Sequence, residues 1–269
     1  MKTPAIAILA TVISATLPLG AQEKKPLGYQ DTPLIPGTNW HVHDGLRPQP
    51  KVVTPGEFGT QEKASTVPSD AVVLFDGKDF SKWRGKDGDA KWKVEGGVVE
   101  INKTGDVFTK DEFGPDIQLH IEWSAPVPPS GTGQGRGNSG LFFHGKYEVQ
   151  ILDCFENQTY PDGQATAIYG QTPPLVNASR APGQWQTYDV VFNGPRFKDG
   201  QLVKPAFITI FHNGVLVQNH TELLGDTPHK QVGRYVPHPE KGAIKMQDHG
   251  NPVRFRSIWL RELKPVDSQ

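Results

Sequence analysis

The sequence predicts an all-β chain, built as two packed antiparallel sheets, and three observations carry that prediction. Residues 117–123 alternate without a break: Ile117, Leu119, Ile121 and Trp123 fall on one face, Gln118, His120 and Glu122 on the other. That is the period of a half-buried strand. Asn213-Gly214 stands between the apolar runs 207–211 and 215–217, a strong hairpin signal. The chain has 29 glycines and 24 prolines, which suits many turns, and no segment carries the period of a long amphipathic helix.

Taken in order, residues 1–21 read as a signal peptide. Lys2 is a short positive region, 5–17 is an apolar run, and Leu19-Gly20-Ala21 precedes a plausible cut before Gln22. The run is too short for a convincing transmembrane segment, so export to the periplasm or medium is expected. Residues 22–69 are rich in Pro, Gly and charge but carry Trp40, Val42, Leu46 and Phe58. Those anchors predict an extended arm that partly docks. His41-Val42-His43-Asp44 lies within it, without the further ligands a metal needs. The domain proper spans 70–265, with a tail at 266–269. Strands are expected at 72–75, 92–94, 98–101, 117–123, 141–143, 147–152, 185–192, 207–211, 215–217, 244–247 and 255–260. Glu95-Gly96-Gly97 supplies a second hairpin turn.

With 269 residues, 36% of them hydrophobic, the chain can bury a sizeable core. A net charge of −1 gives no nucleic-acid footprint and no patch for acidic membranes. The single cysteine, Cys154, cannot form an internal disulfide and reads as a small buried hydrophobe rather than a nucleophile. Ser130–Gly140 is glycine-rich, but no Gly-Lys-Ser/Thr ending or helical pattern follows it, so nucleotide binding is discarded. A loop at the rim of a site fits better. Residues 157–181 form a long irregular stretch with Tyr160 and Tyr169, and loops of that length are often functional.

The chain is organised around 138–153. His144-Gly145-Lys146 joins two apolar runs into a hairpin. Alternation puts Tyr147, Val149 and Ile151 on one face and Glu148 with Gln150 on the other; Asp153 joins the latter pair only through a bulge. Asn138, Gly140, Phe142 and His144 share a face of the first strand. Carboxylates, amides and an imidazole could therefore meet on one surface.

Three motifs now become specific. Residues 74–83 (LFDGKDFSKW), 138–143 with 147–153 (NSGLFF…YEVQILD), and 247–250 with 253–259 (QDHG…VRFRSIW) resemble, in order, those of the 3-keto-disaccharide hydrolase or 3-keto-glucoside lyase/hydratase domain family. The resemblance runs over about residues 71–264, leaving the arm outside. One departure is Ser257, where Asn is expected.

The resemblance implies a concanavalin A-like jelly-roll sandwich of the lectin and glucanase type, with its site on a concave sheet. It implies cleavage of 3-keto-glycosides by C2 deprotonation, elimination of the aglycone and hydration. The chemistry needs a base, an oxyanion partner and an acid. Glu148 or His249 are the candidate bases. Arg256, or else Arg254, is the candidate oxyanion partner, a role that a bound divalent metal could also fill. Asp153 and His144 are candidates for leaving-group protonation or sugar contacts. Asn138, Gln150 and Gln247, with Glu122 and Arg254, complete the expected sugar contacts. The substrate would be an oligosaccharide or glycoside carrying a 3-ketone, and a partner 3-dehydrogenase is implied. Rival readings are a lectin-like carbohydrate-binding module, an interaction protein that uses the arm, and a retaining glycosidase. The last needs two carboxyls about 5–5.5 Å apart, which Glu148 and Asp153 could meet only with the bulge.

Overall fold

Turn chemistry fixes the strand pairs. In the computed structural model, which describes residues 28–265, Asn213 and Gly214 take φ of 52° and 80° and His212 pairs with Val215. Positive φ at both turn positions matches the twist of the flanking strands. Gly96 and Gly97, at 58° and 83°, do the same between Glu95 and Val98. The expected signal peptide lies outside the described residues.

The larger sheet has eight antiparallel strands. Its order is Val215–Glu222, Phe207–His212, Gln186–Asn193, Asp116–Ser124, Arg254–Glu262, Val98–Glu100 and Lys93–Glu95, and Val72–Phe75 also pairs with Arg254–Glu262. The smaller sheet has six: Gly88–Asp89, Trp83–Gly85, Val107–Thr109, Lys245–Met246, Ser139–Phe143 and Tyr147–Ile151. Arg196–Lys198 and Gln201–Lys204 form a separate ribbon. No helix among the described residues is long and apolar enough to cross a membrane.

The alternation read at 117–123 holds. Ile117, Leu119, Ile121 and Trp123 are fully buried in the core, together with Tyr188, Val190 and Phe192 of the neighbouring strand. Leu141, Phe143, Val149 and Ile151 face them from the smaller sheet. Phe143 stacks on Phe192 at 4.6 Å between centroids, and the Tyr188 hydroxyl donates to the Gln150 carbonyl at 3.0 Å. The two inner faces thus make one core, and each sheet presents its other face outward.

A bulge shifts the register between Arg256, opposite Glu122, and Trp259, opposite His120. At the bulge Ser257 adopts φ 44°, a conformation in which Asn is several-fold enriched. The Asn expected here from the resemblance would suit that conformation. The bulge lets Arg256 and Trp259, three positions apart, share the outer face.

Residues from Lys51 onward group with the sandwich, whereas those up to Pro50 form a separate unit. In that unit Leu34 bridges His41, and the His41 ring engages the Thr32 carbonyl. Residues 51–69 lie on the outer face of the larger sheet. The Ser65 amide donates to Glu122 at 2.6 Å, and Arg256 donates to the carbonyls of Thr60 and Lys63.

Candidate active site

Register places Glu148. On the smaller sheet Phe142 lies opposite Glu148 on one side and Lys245 on the other. Directly opposed residues share a face, so Lys245, Phe142 and Glu148 form a row on the outer face. Gly140 and Gln150 make the next row. The Glu148 backbone is pinned: its amide donates to the Thr227 hydroxyl oxygen at 3.0 Å, and its carbonyl accepts from the Tyr169 amide at 3.2 Å. Its carboxyl accepts no hydrogen bond from the described residues. Burial pushes its pKa up to about 8; Lys245 opposes that rise and Asp106 adds to it. Lys245 sits 3.6 Å from the centre of the Phe142 ring and pairs with Asp106 at 3.2 Å.

A cavity of about 350 Å³ opens above this face. Asn138, Glu148, Gln150, Gln247 and His249 all line it, joined by Gln134, Tyr160, Tyr169, Thr227 and His229. The amides are oriented by the glycine-rich loop. Gln150 donates to the Gln134 side chain at 2.9 Å and accepts from the Ile151 amide at 3.0 Å. Asn138 donates to the Gln134 carbonyl at 2.7 Å, while its own side-chain oxygen is buried without a partner. Gln134 is tied in turn to Thr159 and to the Gly163 carbonyl, both at 2.8 Å. Gln247 keeps its side-chain amide free of other described residues. His249 is exposed at the rim.

Loops supply the remaining wall. Residues 166–168 pair along the edge strand: the Thr166 amide donates to the Gln150 carbonyl at 2.8 Å, and Ile168 bridges Val149. This covers an otherwise open edge and swings Tyr160 and Tyr169 over the face. The sequence reading marked the loops that carry Tyr160, Tyr169 and Gln134 as functional without naming these side chains as site residues, and it missed Thr227 and His229, because irregular loops carry no periodicity. It also passed over Lys245, although that residue is in phase with Gln247 across the apolar Ile244 and Met246.

Five expected site residues lie elsewhere. Arg256 and Glu122 sit on the outer face of the other sheet, buried and paired at 2.5 Å, so Arg256 does not converge with Glu148. Strand phase predicts the face of a residue but not which sheet owns it. Arg254 is on the same larger sheet, opposite Ser124 and Glu100, and lines a separate cavity with Glu95 and Glu100. His144 leaves the strand at φ 52°, so alternation stops there. Its ring packs against Phe192, Tyr147 and His238, and burial, aided by His238, lowers its pKa to about 4. Asp153 lies beyond a strand that ends at Ile151 without a bulge and is bound by Arg136 at 2.7 Å. The pairing of Glu148 with Asp153 required by a retaining glycosidase therefore has no bulge to make it. Cys154 is buried, and burial pushes its thiol up to about 11, as suits a core residue.

On the larger sheet, Asp189, His120 and Ser65 stand in hydrogen-bonded sequence at 2.6 Å and 3.0 Å. The spacing is that of a hydrolytic triad, but its electrostatics are those of a clamp. Burial pulls the His120 pKa down, yet Asp189 and Glu122 outweigh it and push it to about 9. A protonated imidazole cannot accept the serine proton, and the Ser65 amide is already committed to Glu122. For Glu122, burial raises the pKa, and contacts with His120, Ser65 and Arg256 override it, bringing it to about 2.

Among the described residues no three His, Cys, Asp or Glu side chains form a group able to hold a metal ion. Glu148, His229 and His249 share the cavity without making such a set, so the residues present do not fit the divalent metal considered above.

A chain from Parabacteroides distasonis, described as a candidate glycosyl hydrolase, has 44% identity and a TM-score of 0.77 over 86% of this chain and all of that one. A second structure from that organism, with the same description, has 19% identity and a TM-score of 0.52 over 72% and 94% of the two chains, and shares the fold. The 3-keto-disaccharide hydrolase of Bacteroides thetaiotaomicron is 24% identical over 73% of this chain and 81% of its own length. The profile of one family matches residues 70–261, nearly the whole sandwich and every residue of the Glu148 cavity, and the chain belongs to that family, the 3-keto-alpha-glucoside-1,2-lyase-like domains.

Proposed function

We propose that the protein cleaves 3-keto-glycosides by elimination followed by hydration, with Glu148 as the base. The observation that carries this is a buried carboxyl that accepts no hydrogen bond from the described residues, at the floor of a polar cavity, with its pKa raised to about 8. A base acts best when its pKa lies near the working pH, and burial supplies that here. The family's description and the name of the Bacteroides relative carry the same 3-keto-sugar class, and the name of the Parabacteroides chain that of a glycosyl hydrolase.

A ketone at C3 acidifies the proton on C2. Glu148 takes that proton, and the electron pair forms the C2–C3 enolate. The enolate re-forms the ketone as a C1–C2 double bond appears and the C1–oxygen bond breaks. The leaving oxygen takes a proton from His249 at the rim. Water then adds at C1 and passes its proton to His249, while Glu148, having released the C2 proton to solvent, delivers a solvent proton to C2, giving net hydrolysis. The amides of Gln247 and Gln150 are the donors nearest in kind to what an enolate oxygen needs; Arg256 is too far removed to serve. Such a substrate must be supplied by an enzyme that oxidises a sugar hydroxyl at C3.

Incubation with a 3-keto-glucoside and with its unoxidised parent tests this reading: release of the aglycone from the first alone supports it, and equal release from both refutes it. We also propose export with cleavage before Gln22, on the pattern of residues 1–21. The intact mass of protein from the native host should match a chain starting near Gln22, and a retained leader would refute this.

A further inference from the structure

Two cavities share one wall. Beyond the cavity that holds Glu148 lies a second, of about 500 Å³, and both are lined by Tyr160, Tyr169 and His229. The wall is a hydrogen-bonded chain. The two tyrosine hydroxyls lie 2.8 Å apart, and that of Tyr169 lies 2.9 Å from Nδ1 of His229. Tyr169 and His229 also stack, 18° from parallel. A Cβ at Gly163 would stand 2.1 Å from the Tyr160 ring and 2.9 Å from the side-chain nitrogen of Gln134. Tyr160 and Gln134 are thus packed together over a glycine, and Gln134 holds Gln150, whose row adjoins that of Glu148. That sets Tyr160 at the inner end of the chain. His229 is followed by Lys230, Gln231 and Val232, which line the outer cavity and not the inner one, so it stands at the outer end.

We propose that Tyr160, Tyr169 and His229 form a proton relay between Glu148 and bulk water. The proposal rests on the reaction assigned above, in which Glu148 gives up the C2 proton and later takes one back from solvent. Only 5% of Glu148 is exposed, a substrate lying over it displaces the cavity water, and His249 is engaged with the leaving oxygen. A hydroxyl both accepts and donates, and a neutral imidazole carries its hydrogen on either nitrogen. On the outward pass, a proton leaving Glu148 through the inner cavity bonds to the Tyr160 oxygen. Tyr160 hands its own hydrogen to Tyr169, Tyr169 hands its own to Nδ1 of His229, and Nε2 releases its hydrogen to water. Each oxygen or nitrogen gains one bond to hydrogen as it loses another, so no charge is left behind. The chain then points the other way, with Nδ1–H donating to Tyr169 and Tyr169 to Tyr160. That is the arrangement that carries a solvent proton inward, as the hydration step needs, and the inward pass restores the first arrangement. One proton out and one in therefore reset the relay in each turnover without a ring flip. Burial, then the bond to Tyr160, push the Tyr169 pKa up, so its hydroxyl releases a proton only as it gains one.

The test follows deuterium from C2 of a 3-keto-glucoside turned over by the full chain in ordinary water, with exchange in the absence of enzyme subtracted. Native protein should give product free of that deuterium. Tyr169→Phe keeps the ring and removes the middle hydroxyl, so the deuteron should stay on Glu148 and return to C2 in most of the product. His229→Ala should do the same, and free imidazole, which takes the place of the outer end, should restore the loss of deuterium. A merely structural role predicts slower turnover with the deuterium still lost. Deuterium lost from either folded variant as from the native protein, or a His229→Ala protein that imidazole does not rescue, overturns the relay while the reaction stands. If circular dichroism shows that Tyr169→Phe does not fold, His229→Ala with and without imidazole decides alone. Native protein that leaves the substrate intact, or whose product keeps the deuterium, overturns the reaction itself, and the relay falls with it.

Discussion

The carboxyl of Glu148 occupies the space that a side chain at position 140 would fill. A Cβ on Gly140 would lie 2.3 Å from Oε1 of Glu148 and 2.7 Å from the Phe142 ring. The glycine of the Asn-Ser-Gly motif is thus a spacer for the proposed base. Gly140→Ala should displace the carboxyl and cost about 100-fold in kcat, as small misplacements do, with the circular dichroism spectrum kept. Glu148→Gln, which keeps the shape and removes the basicity, should cost about 10²–10⁴-fold. Steady-state rates of the two purified variants check both.

A base with a pKa of about 8 predicts the pH profile. The active form is ionised, so kcat/KM should fall about tenfold per unit below that value. Lys245 pulls this pKa down and Asp106 pushes it up. Lys245→Met should therefore move the limb to higher pH, because the cation is lost and Asp106 is left without its partner. A limb that stays in place would remove Lys245 from the account.

Arg256→Ala should damage stability, not chemistry. It breaks a buried pair with Glu122 and frees the carbonyls of Thr60 and Lys63, at a cost of about 3 kcal/mol. A lowered Tm, with kcat of the folded protein within about twofold, is expected; a large loss of kcat at full folding would return Arg256 to the site.

The clamp on residues 51–69 has its own pH window. His120 rises from 6.5 to about 9 on folding, so its contribution is complete below pH 6.5 and is lost as pH rises through 9. Glu122 falls from 4.5 to about 2, so its contribution is complete above pH 4.5 and is lost as pH falls through 2. The clamp should be tightest between pH 4.5 and 6.5. Hydrogen exchange at the Ser65 amide, corrected for its intrinsic rate, should show most protection there, and His120→Asn should abolish the alkaline loss.

What the sequence disclosed and what it withheld divide along physical lines. Local rules carried the turns at Asn213-Gly214 and Gly96-Gly97, the inner face of 117–123, and the shared outer face of Glu148 and Gln150. Each depends on neighbours a few residues apart. Assigning Arg256 to the same surface as Glu148 needed the sheet order, which is set by long-range pairing. His144 and Asp153 were misplaced for smaller reasons, a left-handed turn and a strand that ends at Ile151 without a bulge. Tyr169 and His229 meet only through tertiary folding of two loops.

Proton abstraction from C2 is the central claim, and the fate of that hydrogen tests it most directly. A 3-keto-glucoside carrying deuterium at C2 would be turned over in ordinary water and the product examined by mass spectrometry, beside controls without enzyme and with Glu148→Gln. The account predicts that the native enzyme removes the deuterium in step with aglycone release and shows a primary isotope effect if abstraction limits the rate. Product that retains its C2 deuterium would contradict it.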